Sequence, residues 1–411
     1  MEIRPIFSTI LRNPVGLVLI GLQVALTLAI VVNALHIIGT RLDNMRASAG
    51  IDENNVLMIS STAFSVDDKP LDIARTDLDY LRSLPGVVNA MAVNTLPMTG
   101  SGWSTQVEAA EDPDSHDIAT AIYFADETLV ETLGLDLIAG RPFRAGEVTP
   151  FSMDDNLRPP VVIASAAAVL DLFPDLERPE DALGRLIWNG DENDRAASEI
   201  IGIVDGIKAP WRGFSVKIFD HVTFVPHIPT FDKSARYAIR SEAGQLDKLA
   251  GNVREQLAAQ NLRRVVGEPR TFPEVRERFL RGDKSMAVML IAVVVLLLLV
   301  NVLGIVGLVS FWVTQRTKQI GTRRALGATR GNILRYFLIE NALITSVGVL
   351  LGAVLAMALS NWLASEFSVH RLPWYYLAYG AALLNALGLF ATCLPALRAA
   401  GIAPAIATRS V

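Results

Sequence analysis

The chain has 411 residues, with 37 Lys+Arg against 42 Asp+Glu and a net charge of −5. Apolar residues make up 51%, charged ones only 19%, and mean hydropathy is +0.36, which excludes a disordered chain and exceeds that of an ordinary soluble one. A single cysteine excludes an intramolecular disulfide framework and any cysteine-rich zinc module, and five scattered histidines argue against a multi-histidine metal centre.

In chain order, residues 1–14 carry Arg4 and Arg12 and read as a cytoplasmic segment. The first apolar span covers residues 15–38. As a helix it is about 36 Å long, enough to cross a hydrocarbon core of about 30 Å. It is too long for the apolar core of a cleaved signal peptide, and no small-x-small site closes it, so an uncleaved signal anchor is expected.

Residues 39–284 form a hydrophilic insert of 246 residues. β-Branched apolar runs predict strands near Val56–Ser60, Val87–Asn94, Thr105–Ala110, Ile118–Phe124, Val161–Ala164, Arg185–Trp188, Glu199–Val204, Val222–Val225 and Tyr237–Arg240. Helical spacing appears at Leu71–Leu84 and Leu246–Gln260. Each helix lies between strands, which predicts a split βαβ lobe of α+β type from 50–125 and 221–270. A mostly-β lobe inserted at 126–220 is expected to interrupt it. Stalk helices are expected at both exits. Span one can continue through Leu42 and Met45, while Thr271 and Glu274, with Pro273 in the first turn, fit a capping box. These stalks are either ordinary juxtamembrane helices or rods that transmit movement.

Three further spans follow at 285–313, 336–360 and 375–397. None of the four spans contains Lys or Arg, and Glu340 is their only carboxylate. Splitting the charge by region is informative. Residues 39–284 hold 26 basic and 39 acidic residues, a net of −13, and the remainder holds 11 and 3, a net of +8. The loop 314–335 carries Arg316, Lys318, Arg323, Arg324, Arg330 and Arg335, and the tail 398–411 carries Arg398 and Arg409. By the positive-inside rule these segments and the N-terminus are cytoplasmic, which leaves the insert and the loop 361–374 outside, in the periplasm.

Several chemistries are absent. No Gly-Lys dipeptide occurs, so there is no P-loop, and G-x-S-x-G, H-E-x-x-H and C-x-x-C are missing too. The pairs Asp67–Asp68, Glu111–Asp112 and Asp154–Asp155 read as solvated charges, and Cys393 as a small apolar membrane residue. The acidic insert argues against nucleic acid.

Within the spans, Gly348, Gly352, Ala356 and Ser360 recur every four residues and form a ridge for close helix packing, within the chain or against a second copy. Gln23, Thr27, Asn301 and Asn385 are expected to face the bundle and bond there. The loop TQRTKQIGTRRALGATRGNILR either sets topology and binds anionic lipid, or forms a short helix docked in a partner.

The stretch RTKQIGTRRALGATRGNILRYFLIEN resembles that of MacB/FtsX-like permeases of ABC transporters, and PALRAAGIAPAIATR resembles their closing cytoplasmic segment. LPGVVNAMAVNTLPM and FADETLVETLGLDLIAGRPF are similar, more loosely, to the family's outer domain. MacB carries an ATPase on the same chain. Without one, this sequence resembles the stand-alone permease subunits. The resemblance implies a four-span permease of the inner membrane with porter-like (50–125, 221–270) and sabre-like (126–220) outer lobes. It further implies mechanotransmission: a separate cytoplasmic ATPase dimer, carrying the ATP and Mg, moves the outer domains for efflux or extraction of a periplasmic substrate. No cofactor is then bound by this chain, and it is not itself an enzyme. Arg316, Lys318, Arg323, Arg324 and Arg330 are implied in ATPase contact and Glu340 in structure at the membrane edge. A second permease copy or related permease, a periplasmic adaptor, an outer-membrane channel and membrane lipid are the further partners implied. Two alternatives stand: activation of a cell-wall hydrolase without transport, and a membrane-anchored sensor.

Overall fold

Long apolar runs satisfy their backbone groups without water by becoming helices, and the four spans do so. A computed structural model describes residues 14–64, 69–112, 115–189, 195–212, 217–231, 234–261, 263–367 and 371–401. Arg4, Arg12, Arg409 and the Asp67–Asp68 pair lie outside the described residues. The helices are α1 (Pro14–Arg46), α6 (Phe272–Gln315), α8 (Arg330–Phe367) and α9 (Trp374–Ala400). All four are long and apolar enough to cross a membrane, and each continues beyond its apolar span. The short α7 (Thr317–Ala325) lies within the basic loop. Two compact units result: Met1–Arg46 with Asp283–Val411, and Ala47–Gly282.

In the first unit α1 packs along α8. Val24, Leu28 and Val32 share a buried cluster with Ile344, Ala356 and Leu384. A Cβ placed on Gly352 would come within 2.8 Å of the Ala25 carbonyl oxygen, and one on Gly348 within 2.8 Å of that of Gly21. The backbones are that close because the ridge has almost no side chains. Ala356 is fully buried and its carbonyl accepts from Asn33 Nδ2 at 3.2 Å, while the Ser360 hydroxyl accepts from the Leu372 N–H at 2.9 Å. Of the expected polar contacts, Gln23 Nε2 donates to the Val300 carbonyl at 3.1 Å. Asn385 instead bonds to Ala381 of its own helix, a turn away, where a donor meets a carbonyl without any neighbour. The Asn301 carbonyl oxygen is buried without a hydrogen bond among the described residues.

Among the described residues the second unit holds two large sheets and a two-stranded one. The first comprises β1 (Val56–Ala63), β2 (Val87–Ala92), β12 (Ser234–Ser241), β13 (Arg264–Val266) and the two-residue β14 (Arg270–Thr271). Its order is β13-β1-β12-β2, with β14 also paired to β1. Every pairing is antiparallel. With α2 (Pro70–Ser83) and α5 (Leu246–Gln260) this is the split βαβ arrangement. Leu57, Ile59, Tyr237 and Ile239 face Leu78, Leu81, Val253 and Leu257 of these helices, while Val56, Met91 and Ala238 belong to a second core on the other face. Alternate residues thus serve two cores. Asp77 of α2 ties the helix layer together. It accepts from Tyr237 Oη at 2.8 Å and from Arg264 Nη1 at 2.5 Å, with the ion pair almost wholly buried. Burial, then the Asp77 carboxylate, pushes the Tyr237 phenol far above its ordinary pKa.

The second sheet runs β5-β9-β7-β10-β4-β3-β8, and β8 also pairs with β9. Its strands are β3 (Trp103–Glu108), β4 (Asp117–Phe124), β5 (Asp136–Gly140), β7 (Val161–Ser165), β8 (Leu186–Asn189), β9 (Ala196–Asp205) and β10 (Val222–Val225). The β8–β9 pairing closes six strands on themselves. Two three-residue strands, β6 (Thr149–Phe151) and β11 (His227–Pro229), pair with each other. Short helices α3 (Leu129–Leu133) and α4 (Ala166–Leu172) complete the unit.

This arrangement corrects the lobe boundaries expected from sequence. β3, β4 and β10 were assigned to the first lobe, within 50–125 and 221–270, but they belong to the second sheet, where β10 runs parallel to β4. The insertion therefore occupies the β2–β12 connection rather than beginning at 126. The pairing of Val222 with Ala121 spans about a hundred residues, and alternating hydrophobicity cannot reveal which sheet receives a strand.

Candidate functional site

The basic loop folds back on the membrane helices. Ile320 of α7 is buried with Ile333 and Phe337 of α8 and Ala396 and Ala399 of α9, and Gly321 beside it is also buried. Its opposite face carries exposed Lys318, Gln319, Thr322 and Arg323. This helix is amphipathic over barely two turns, too short to persist alone, and is held by what it packs against.

A salt bridge fastens it. Arg316, at the N-cap position of α7, donates from Nη1 to both Glu340 oxygens at 2.9 and 3.0 Å. The Glu340 side chain is 4% exposed and that of Arg316 18%, so the pair is mostly withdrawn from water. Arg323 places its guanidinium 4.9 Å from the centroid of the Tyr336 ring, a cation–π contact. Arg323 and Arg324 occupy the last turn of α7, where cations oppose the negative end of the helix dipole.

The turn into α8 is fixed by backbone chemistry. Gly327 has φ +97°, a conformation open to glycine, and its N–H donates to the Arg324 carbonyl at 3.1 Å. Thr329 then accepts from the Asn332 N–H through its hydroxyl at 3.2 Å and starts the next helix. Just before Gly327, Leu326 is 83% exposed.

Of the five cations singled out in the sequence, Lys318, Arg323 and Arg330 are exposed, Arg324 is half-buried and engaged, and Arg316 turns inward to Glu340. Gly348, Gly352, Ala356 and Ser360 lie elsewhere, in the α1–α8 contact already described. Sequence reasoning did not identify Tyr336 as the partner of Arg323. It also did not identify the Arg41–Asp283 pair at 2.7 Å, whose signal is an acid three residues before an apolar run facing a base just after another. Among the described residues no group of three or more His, Cys, Asp or Glu side chains converges as a metal site. Chemically the arrangement offers a face of exposed cations around one bare leucine.

Residues 291–404 match the family model described as FtsX-like permease C-terminal. The chain is 28% identical over 282 residues to the macrolide export ATP-binding/permease protein MacB of Agrobacterium fabrum, covering 66% of this chain and 40% of that one. An uncharacterized ABC transporter permease, YvrN of Bacillus subtilis, is 23% identical over 299 residues, covering 70% of this chain and 69% of that one. The chain thus spans between about a fifth and two fifths of the length of the MacB proteins it matches. The extracellular domain of the ABC-type transporter YknZ from Gram-positive bacteria aligns with 51% of this chain and 99% of its own at 15% identity and TM-score 0.31.

Proposed function

With an FtsX-like permease domain and MacB-type ABC transporter permeases as homologues of this chain, we propose that it is the permease subunit of a mechanotransmission transporter in the inner membrane. A separate cytoplasmic ATPase dimer binds ATP and Mg, closes, and grips α7 in each of two permease copies. The periplasmic domain then moves to expel or extract a periplasmic substrate, handed on to an adaptor and outer-membrane channel.

The observation that carries this reading is the two-sidedness of α7. One face is held by Ile320 and by the Arg316–Glu340 pair, while the other presents Lys318 and Arg323, with exposed Leu326 just beyond. A helix fastened this way transmits a push from a partner instead of absorbing it. Glu340 is then a strut at the membrane edge, and Arg316 positions the helix. Lys318, Arg323 and Arg330 remain to meet the partner's acidic groups, with Arg324 at the margin.

The test uses affinity-tagged full chain solubilised from native membranes. Wild type is expected to co-purify with an ABC ATPase and to stimulate its ATP hydrolysis. The K318E/R323E variant is expected to lose at least about tenfold in capture while remaining inserted. Full capture and full stimulation by a correctly inserted K318E/R323E variant would sink the assignment.

A further inference from the structure

Three adjoining cavities of the Ala47–Gly282 unit share walls and form one groove. The first, about 210 Å³, is bounded by Met58, Met98, Val275 and Phe279, with Arg270 and Arg278 beside them. The second, about 390 Å³, shares Met58, Thr99 and Arg270 with it and adds Ser60, Thr95 and Arg236. A third, about 290 Å³, shares Ser101 and Arg236 and ends on Trp103 and Phe231, whose rings stack 5.0 Å apart. Together they fall in the size range of small-molecule sites, and they join apolar walls to a few polar groups as such sites do.

The wall they share is the segment 94–102, and it is held rigidly. The Thr95 and Thr99 hydroxyls lie 2.6 Å apart, and Thr95 also donates to the Ser101 carbonyl at 2.9 Å. The Gly100 N–H donates to the Pro210 carbonyl at 2.8 Å, and Arg236 Nη1 to the Asn94 carbonyl at 2.7 Å. Met98 is buried with φ +59°, the one positive φ outside glycine among the described residues. A methionine in that conformation costs about 1–3 kcal/mol, and such strain persists where the surroundings impose it, often at ligand clamps.

Charge gives the groove its selectivity. The surrounding insert has a net charge of −13, yet Arg270 and Arg278 are exposed and have no ion-pair partner among the described residues. Of the two acids lining the groove, Glu268 is paired with Arg254, and Glu274 accepts the Thr271 N–H at 3.0 Å. Two unmatched guanidinium groups next to methionine and phenylalanine suit an anion that carries hydrocarbon. An added peptide strand is less suited, because β1 is flanked by β12 on one side and by β13 and β14 on the other, leaving no free edge.

We propose that this groove binds an anionic amphiphile, with its carboxylate or phosphate between Arg270 and Arg278 and its hydrocarbon along Met58, Met98 and Phe279. Binding needs neither ATP nor an ATPase, so failure here would leave the coupling role of α7 standing.

The experiment follows 11-(dansylamino)undecanoic acid by fluorescence with the full chain in phosphatidylcholine nanodiscs, subtracting protein-free nanodiscs. Saturable binding is expected, displaced by dodecyl phosphate and by laurate. Neither dodecyl maltoside nor inorganic phosphate should displace it at matched concentration. R270Q/R278Q, which removes both charge-assisted contacts, is expected to weaken binding about tenfold or more, and R270K/R278K less. Both residues are exposed, so folding should survive, and circular dichroism checks it. Undiminished binding to R270Q/R278Q overturns the site. Displacement by dodecyl maltoside would show that no anion is read, displacement by inorganic phosphate that no tail is read, and displacement by an acidic peptide that the ligand class is wrong.

Discussion

The apolar-helix unit and the α/β unit are held together by opposite means. In the α/β unit large side chains fill the space between sheet and helices, as with Tyr237, Leu81 and Leu257, and a charged pair sits deep within it. In the apolar-helix unit α1 and α8 come close where side chains are missing, at Gly348 and Gly352 against the α1 backbone. The ion pairs Arg41–Asp283 and Arg316–Glu340 lie toward the helix ends. The solvent explains the difference. Water rewards burial of apolar surface, by about 25 cal/mol per Å². Lipid does not, so helices there gain from close approach and from polar contacts.

The largest test of this contrast is Asp77→Ala. It leaves Arg264 charged and buried and removes the acceptor of Tyr237, so a loss of about 3–5 kcal/mol is expected. Urea unfolding of the full chain in nanodiscs, followed by near-ultraviolet circular dichroism, measures it. An effect below about 1 kcal/mol would mean the pair is incidental to the domain.

Gly352→Val comes next. Its side chain meets the Ala25 carbonyl and Cα, which are backbone atoms and cannot swing aside, so α1 and α8 must separate at a cost of about 1–3 kcal/mol. A lowered thermal midpoint in detergent, with the circular dichroism of the α/β unit unchanged, is the expected result. The same substitution at Gly307, where nothing lies within 4 Å of the added Cβ, should be nearly silent.

The smallest effect is titration of His227. Burial lowers its pKa, outweighing the Thr149 contact and the Asp155 charge that raise it. The native state therefore resists a proton that the unfolded chain accepts. Stability is complete above the unfolded value near 6.5 and falls as pH drops through it toward the folded value. His227→Gln should flatten the stability profile below pH 6.5, and an unchanged profile would show that His227 is not its source.

Much of this protein was legible residue by residue. The nine predicted strands and both predicted helices of the insert occur, because two-residue and 3.6-residue periods report local backbone geometry. Strands such as Asp136–Gly140 and Arg264–Val266 escaped notice, being short and lacking clear alternation. In the candidate site, the cations and Glu340 stood out by contrast with their apolar surroundings. That Arg316 faces Glu340 while Lys318 faces outward was not readable, since both are bases in one basic run.

By itself, then, the sequence determined what each segment is, including four membrane-length helices, an acidic insert and a basic loop, because hydropathy and charge act locally. Only the tertiary structure decided which strand joins which sheet, which glycine meets which backbone and which arginine is withdrawn from the surface. Those choices depend on partners far away in the chain, and a local pattern carries no record of them.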